Sequence, residues 1–111
     1  MDRSLTLIRV GIFPGLNKLR QGDQIRFIFS IENIGKDLIS DIYMLENSRR
    51  LLGTPISLPP GEKKDEAFSS VYTVTLEDEQ RGMLRKPSEV RGKLPNGALV
   101  ADVSEGIYHI T

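Results

Sequence analysis

Few residues in this chain have the chemistry of a reactive site. It holds one histidine, His109, and no cysteine. A zinc centre needs more soft ligands than that, so His109 is expected to be a surface residue near the chain end. None of the serines lies in a G-x-S-x-G nucleophile elbow, and His109 is the sole base available to a Ser-His-acid triad. Glu77, Asp78 and Glu79, joined by Asp102 or Glu105, could gather round a calcium ion. Their spacing is not that of an EF-hand loop, and three acids in a row equally suit the start of a helix, where each favours the dipole by roughly 0.3–1 kcal/mol. Arg81, Arg85, Lys86, Arg91 and Lys93 make the second half locally basic, but Glu89 interrupts them and no aromatic residue is interleaved for base stacking. A solvated strand face or edge protection is the expectation there. The residues therefore predict no enzyme: no catalytic, cofactor-binding or metal-binding residue, and no cofactor.

The elements that must carry these residues are mostly strands. Gln24–Gly35 (QIRFIFSIENIG) puts Ile25, Phe27, Phe29 and Ile31 on one face and Gln24, Arg26, Ser30 and Glu32 on the other, with Ile28 alone breaking the polar set. Period-2 alternation marks a strand with one buried face. Four large apolar side chains there supply roughly 6–12 kcal/mol of gross burial, at about 1.5–3 kcal/mol each. This is the expected central strand. Ser4–Val10 reads as a first strand, and Gly11, Pro14 and Gly15 as a break where the chain crosses between sheets. Leu16–Arg20 reads as a short edge segment. Leu38–Glu46 is a further strand, Leu51-Leu52 a small edge strand, and Thr54–Leu58 runs into the Pro59-Pro60-Gly61 turn.

Glu62–Thr75 is strongly β-prone in its second half. Thr75 and Asp78 then have capping-box spacing, Arg81 suits a helix end, and Gly82 suits the C′ position, which predicts one helical turn over Leu76–Arg81. Met83–Lys93 reads as one strand with Leu84, Ser88 and Val90 inward, and Pro87 demands an edge or a bulge. Leu94–Gly97 (LPNG) reads as a hairpin turn, Asn96-Gly97 being the pair that type I′ turns favour. Ala98–Val103 returns, and Gly106–Thr111 is a short apolar tail expected to extend it. About seven strands with regular turn signals fit an all-β, immunoglobulin-like antiparallel sandwich with one short helical turn near residues 76–81.

At 111 residues the chain is expected to form one domain, 1–111. Fifteen Lys/Arg balance fifteen Asp/Glu, which removes the electrostatic case for nucleic acid or an anionic membrane as partner. No apolar run approaches the ~20 residues of a membrane span, so no membrane insertion of this segment is expected. MDRSLTL lacks the apolar core of a signal peptide, which leaves a cytosolic protein or a piece excised from a longer secreted chain.

Taken in order, Gly22-Asp23-Gln24-Ile25, Phe29–Gly35 (FSIENIG), Ser57–Glu62 (SLPPGE), Val71–Asp78 (VYTVTLED) with Gly82, and EVRGKLPNG at 89–97 with Val100 and Asp102 form a collinear set. This set resembles the "conserved repeat domain" (DUF11-like) family of bacterial and archaeal cell-surface proteins, over roughly Leu5–Glu105. The resemblance implies an immunoglobulin-like sandwich of a secreted or wall-anchored protein without enzymatic activity. It implies a role as spacer or adhesive scaffold, with neighbouring domains of the same chain, and other proteins, as partners. The alternative is a recognition module that binds a protein or glycan through end loops such as Asn47–Thr54 and Lys93–Gly97. The chain departs from the family in having only five Thr, a balanced charge, and Lys86-Pro87 in a strand that is usually small and polar. Lys86 shares a strand face with Leu84 and Ser88. It is expected either to snorkel at the sandwich end or to form an isopeptide bond with Asn33, assisted by Glu32 or Glu89, as in some surface sandwich domains.

Overall fold

The computed structural model describes residues 4–13, 15–46, 49–51 and 55–110. Among these, ten strand segments and one helix occur: β1 (Leu5–Phe13), β2 (Gln24–Asn33), β3 (Ile39–Glu46), β4 (Arg49–Arg50), β5 (Ile56–Leu58), β6 (Lys63–Thr73), α1 (Leu76–Arg81), β7 (Met83–Arg85), β8 (Ser88–Lys93), β9 (Leu99–Ser104) and β10 (Ile107–His109). All pairings are antiparallel. One sheet has the order β1-β2-β6, a second has β4-β3-β8-β9 with β5 also on β3, and β7 pairs with β10. The two larger sheets pack as an all-β sandwich, and β1-β2-β6 against β3-β8-β9 is the A-B-E against C-F-G arrangement of immunoglobulin-like domains.

β2 is central in its sheet, as its alternation requires. Ile25, Phe27, Phe29 and Ile31 are all buried. Phe27 and Phe29 join Ile25, Met44, Val74 and Leu84 in one half of the core, while Ile31 meets Leu5, Ile39, Ile42, Leu58 and Val90 in the other. Ile28 and Ser30, assigned by alternation to the opposite face, are buried as well.

Several local expectations need correction. β1 does not break at Gly11; it continues to Phe13 through a register shift between Arg9 and Gly11. Leu16–Arg20 is not a strand; it forms a turn in which Leu19 enters the core. The small edge strand falls on Arg49–Arg50, not on Leu51-Leu52, of which Leu52 lies outside the described residues. Met83–Lys93 is two strands. β7 pairs with β10 and β8 with β9 in one continuous register, and β8 alone also pairs with β3, so Lys86-Pro87 interrupts the strand where the β3 ladder ends. A proline has no N–H for either ladder, and the break falls there. The Gly106–His109 tail extends β9 as expected: β10 pairs with β7 in the register that β9 holds with β8, and Lys86 N to Gly106 O bridges the two stretches.

The 94–97 turn also differs. Gly97 N donates to Leu94 O, and Leu94 N to Ala98 O. Gly97 has φ 87° while Asn96 is not left-handed. This is a turn with Pro95 and Asn96 at its centre and glycine in the left-handed position that follows, not the two-residue type I′ turn, which needs positive φ at both Asn96 and Gly97. Pro95 fits such a centre because its fixed φ suits a type I turn.

The helix follows its signals closely. Thr75 caps α1: its Oγ1 accepts from Asp78 N at 3.1 Å, and Asp78 Oδ2 accepts from Thr75 N at 3.0 Å. Gly82 ends it at φ 70° and donates to Asp78 O and Glu79 O.

Phe27 is fully buried and lies 5.1 Å, centroid to centroid, from the Tyr108 ring. Phe27→Ala is expected to cost about 3–5 kcal/mol, read as a lowered urea midpoint at unchanged m-value.

Candidate functional site

His109 and the acids Glu77, Glu79 and Asp102 lie on three separate elements, β10, α1 and β9. His109 is exposed on β10 opposite Met83. Glu77 faces Arg81 at 3.5 Å. Glu79 accepts from Gln21 N at 3.0 Å, with Arg20 3.7 Å away. Asp102 sits on β9, where its carboxylate accepts from Leu7 N at 2.8 Å. These acids thus engage different partners, and no cluster of three potential metal ligands occurs among the described residues. The basic run is also dispersed: Arg81, Arg85, Arg91 and Lys93 are exposed on three different elements, and Lys86 leaves the surface altogether.

Asp78 is the buried acid of the helical turn. Its Oδ2 accepts from Tyr72 Oη at 2.5 Å as well as from Thr75 N. Burial alone would raise its pKa. The hydrogen bonds from Tyr72 and Thr75, with Arg81 nearby, outweigh that and hold it below the usual carboxylate range. Burial and the bond to Asp78 push the Tyr72 hydroxyl up to about 12. Spacing identifies the Thr75–Asp78 cap, but not Tyr72 as its third member.

Asn33 is another polar residue fully inside. Its Nδ2 donates to Asp37 O and Leu58 O, each at 2.8 Å, and its Oδ1 accepts from Gly35 N at 3.0 Å. Its own N–H donates to Glu62 O, and its C=O accepts from Gly61 N. One side chain and one peptide unit thereby tie the end of β2 to the following loop, to β5 and to the Pro59–Glu62 turn. Asn33 is fully engaged there and is not the partner of Lys86. Leu58 pairs with Ile39 at the start of β3, whereas Lys86 meets Glu46 at its end. Seven residues of strand, roughly 23 Å, separate those points.

Lys86 is the least expected residue of the interior. As the alternation predicts, Leu84, Lys86 and Ser88 all face in. The ammonium does not snorkel: Lys86 is only 1% exposed, with Nζ 4.8 Å from the centre of the Phe27 ring and 5.4 Å from that of Phe29. Its charge partner is Glu46, with Oε1 at 2.8 Å. The main chain fixes this placement. Lys86 N donates to Gly106 O at 2.7 Å, and Gly106, at φ 61°, approaches so closely that a Cβ there would lie 2.0 Å from Lys86 O. Around the pair, Glu46 Oε2 and the Ser88 hydroxyl are buried without a hydrogen-bond partner, and the 2.8 Å contact itself lacks hydrogen-bond angles. Burial lowers the Lys86 pKa, and the Glu46 carboxylate offsets this only in part. Neither Glu32 nor Glu89 takes the role expected of it. Glu32 pairs with Lys63 in the β2–β6 register, and Glu89 binds Arg91 at 3.0 Å. No sequence signal points to Glu46, which lies 40 positions before Lys86.

On the outer face of the second sheet, Arg50 stacks over the Tyr43 ring at 4.3 Å, and Arg91 is Tyr43's neighbour across the ladder. Of the two end loops expected to bind ligands, Asn47–Thr54 lies mostly outside the described residues, and Lys93–Gly97 forms the turn described above.

Comparison with protein-family models finds no match, and searches of curated proteins and of solved structures find none either.

Two outcomes follow from the buried charges. Lys86→Ala strands the Glu46 carboxylate in an apolar site and is expected to cost about 3–5 kcal/mol; the double replacement Lys86→Met with Glu46→Leu, which fills the space and leaves no charge behind, is expected to cost much less, as read by chemical denaturation of both variants. Asp78 has a depressed folded pKa, so its contribution is complete above the unfolded carboxylate pKa of about 4 and fades as pH falls through the folded value. The stability gap between wild type and Asp78→Asn is therefore expected to be constant near neutrality and to shrink below about pH 4, as followed by thermal melts across that range.

Proposed function

We propose that this chain is a non-catalytic structural and interaction module of a cell-surface or secreted protein, a spacer or adhesive scaffold of the DUF11-like kind. The observation that carries this reading is what the residues of the family resemblance do. Gly22-Asp23 closes onto the end of the VYTVT segment through Gly22 N to Val74 O and Val74 N to Asp23 O, each 2.8 Å. Asn33 and Gly35 bond to each other, and Asn33 bonds to the Pro59–Glu62 turn. Thr75, Asp78 and Gly82 cap the helical turn, and the 94–97 residues turn the β8–β9 hairpin. These motif residues serve turns, caps and strand-to-strand ties, and a chain whose distinctive residues fix geometry is suited to bearing shape.

The dimensions agree with that role. Extents of 47 × 25 × 21 Å and a radius of gyration of 15.3 Å exceed the ~13 Å of a compact chain of this length. An elongated unit spans distance with few residues. Neighbouring domains of the same chain are its partners in this reading. Among the described residues no helix is long and apolar enough to cross a membrane.

The test is protease shaving of intact cells of the source organism, followed by peptide identification. Peptides of this chain are expected in the released fraction, within a longer polypeptide bearing an export signal. Recovery only after cell lysis would remove the surface assignment.

A further inference from the structure

The Lys86–Glu46 contact has features that an ordinary ion pair does not need. Both groups are inside, the Lys86 side chain 1% and the Glu46 side chain 15% exposed. The amine nitrogen is 2.8 Å from Oε1, which places it within about 4 Å of the carboxyl carbon, against the ~3–3.5 Å of a near-attack geometry. The contact is not aligned as a hydrogen bond, and Oε2 has no partner. Two aromatic rings wall the site. Holding two opposite full charges in such a place costs several kcal/mol per ion, whereas a neutral amide at the same position costs far less.

We propose that Lys86 and Glu46 condense into an intramolecular isopeptide bond between Lys86 Nζ and Glu46 Cδ. A proton passes from the ammonium to the carboxylate within the pair, giving amine and acid. The Nζ lone pair then attacks Cδ, the C–N bond forms, and one C–O bond breaks. The departing oxygen leaves as water with the second of the ammonium's protons, so ammonium plus carboxylate become amide plus water, with no change of oxidation state. Burial, which lowers the Lys86 pKa, favours the amine the first step requires. The bond joins the end of β3 to the β7–β8 junction across 40 positions of sequence, in a chain with no cysteine to make a disulfide. It rests on this geometry alone and is independent of the surface role.

The experiment is the high-resolution intact mass of the purified wild-type chain, with peptide mapping by a glutamate-specific protease. Trypsin is unsuitable because Pro87 follows Lys86. The expected result is a mass about 18 Da below the sequence mass, one water, and a branched peptide linking Glu46 to Lys86. Lys86→Met and Glu46→Leu are each expected to show the full sequence mass of the variant. A wild-type mass equal to the sequence mass overturns the proposal. So does a loss of about 17 Da, which assigns the bond to an amide side chain, or a dehydrated chain without the 46–86 branched peptide. Because the wild-type protein itself is measured, the outcome does not depend on either variant folding.

Discussion

Burial of one face of β2 is the constraint on which the sandwich depends. β2 is the only strand of its sheet with neighbours on both sides, β1 and β6. Its inward residues Ile25, Phe27, Phe29 and Ile31 contribute to both halves of the core. With two phenylalanines at its centre and no tryptophan in the chain, the interior has few large residues to spare. A one-residue slip of β2 would turn all four to the wrong side. The turns at either end prevent it: Gly22-Asp23 is bonded to Val74, and Asn33 is bonded to Leu58, Gly61 and Glu62.

Polar groups take the place of disulfides here. Asn33 at one end of the core and the Lys86–Glu46 pair toward the other each join segments far apart in sequence. They do so in different ways. Asn33 is fully satisfied, with both amide protons and its oxygen engaged, and a satisfied buried network specifies one arrangement of loops. The Lys86 site is under-satisfied, with Oε2 of Glu46 and the Ser88 hydroxyl lacking partners. Orphaned polar atoms in a native interior call for a chemical explanation, and they mark this site as one where packing alone does not account for the residues.

Much of the fold was legible in the sequence because much of it is local. Alternation placed β2 and its inward face. Thr75-x-x-Asp78 and Gly82 placed α1 to the residue, since caps are made by side chains within one turn of the helix. The parity of Leu84, Lys86 and Ser88 put the lysine inward. The failures share a cause. Met83–Lys93 looks unbroken, and it holds one register against Leu99–His109, yet Lys86-Pro87 interrupts it where the β3 ladder ends. Asn96-Gly97 is a type I′ pair in isolation, but Pro95 and the length of the connection select another turn. Both outcomes depend on which strands lie alongside.

What the sequence by itself determined, then, is most of the strands, the turns between them, and which side chains must be inside. These follow from backbone sterics and from the period of apolar residues, which act over a few positions. Only the tertiary structure decided who meets whom: Tyr72 with Asp78 beneath the helical turn, Asp102 with the first strand, and Lys86 with Glu46 rather than Asn33. Asp102 and Leu7 stand 95 positions apart. Partnership over such separations is set by sheet order and ladder register, and those are fixed by the packing of all strands at once rather than by any one stretch of chain.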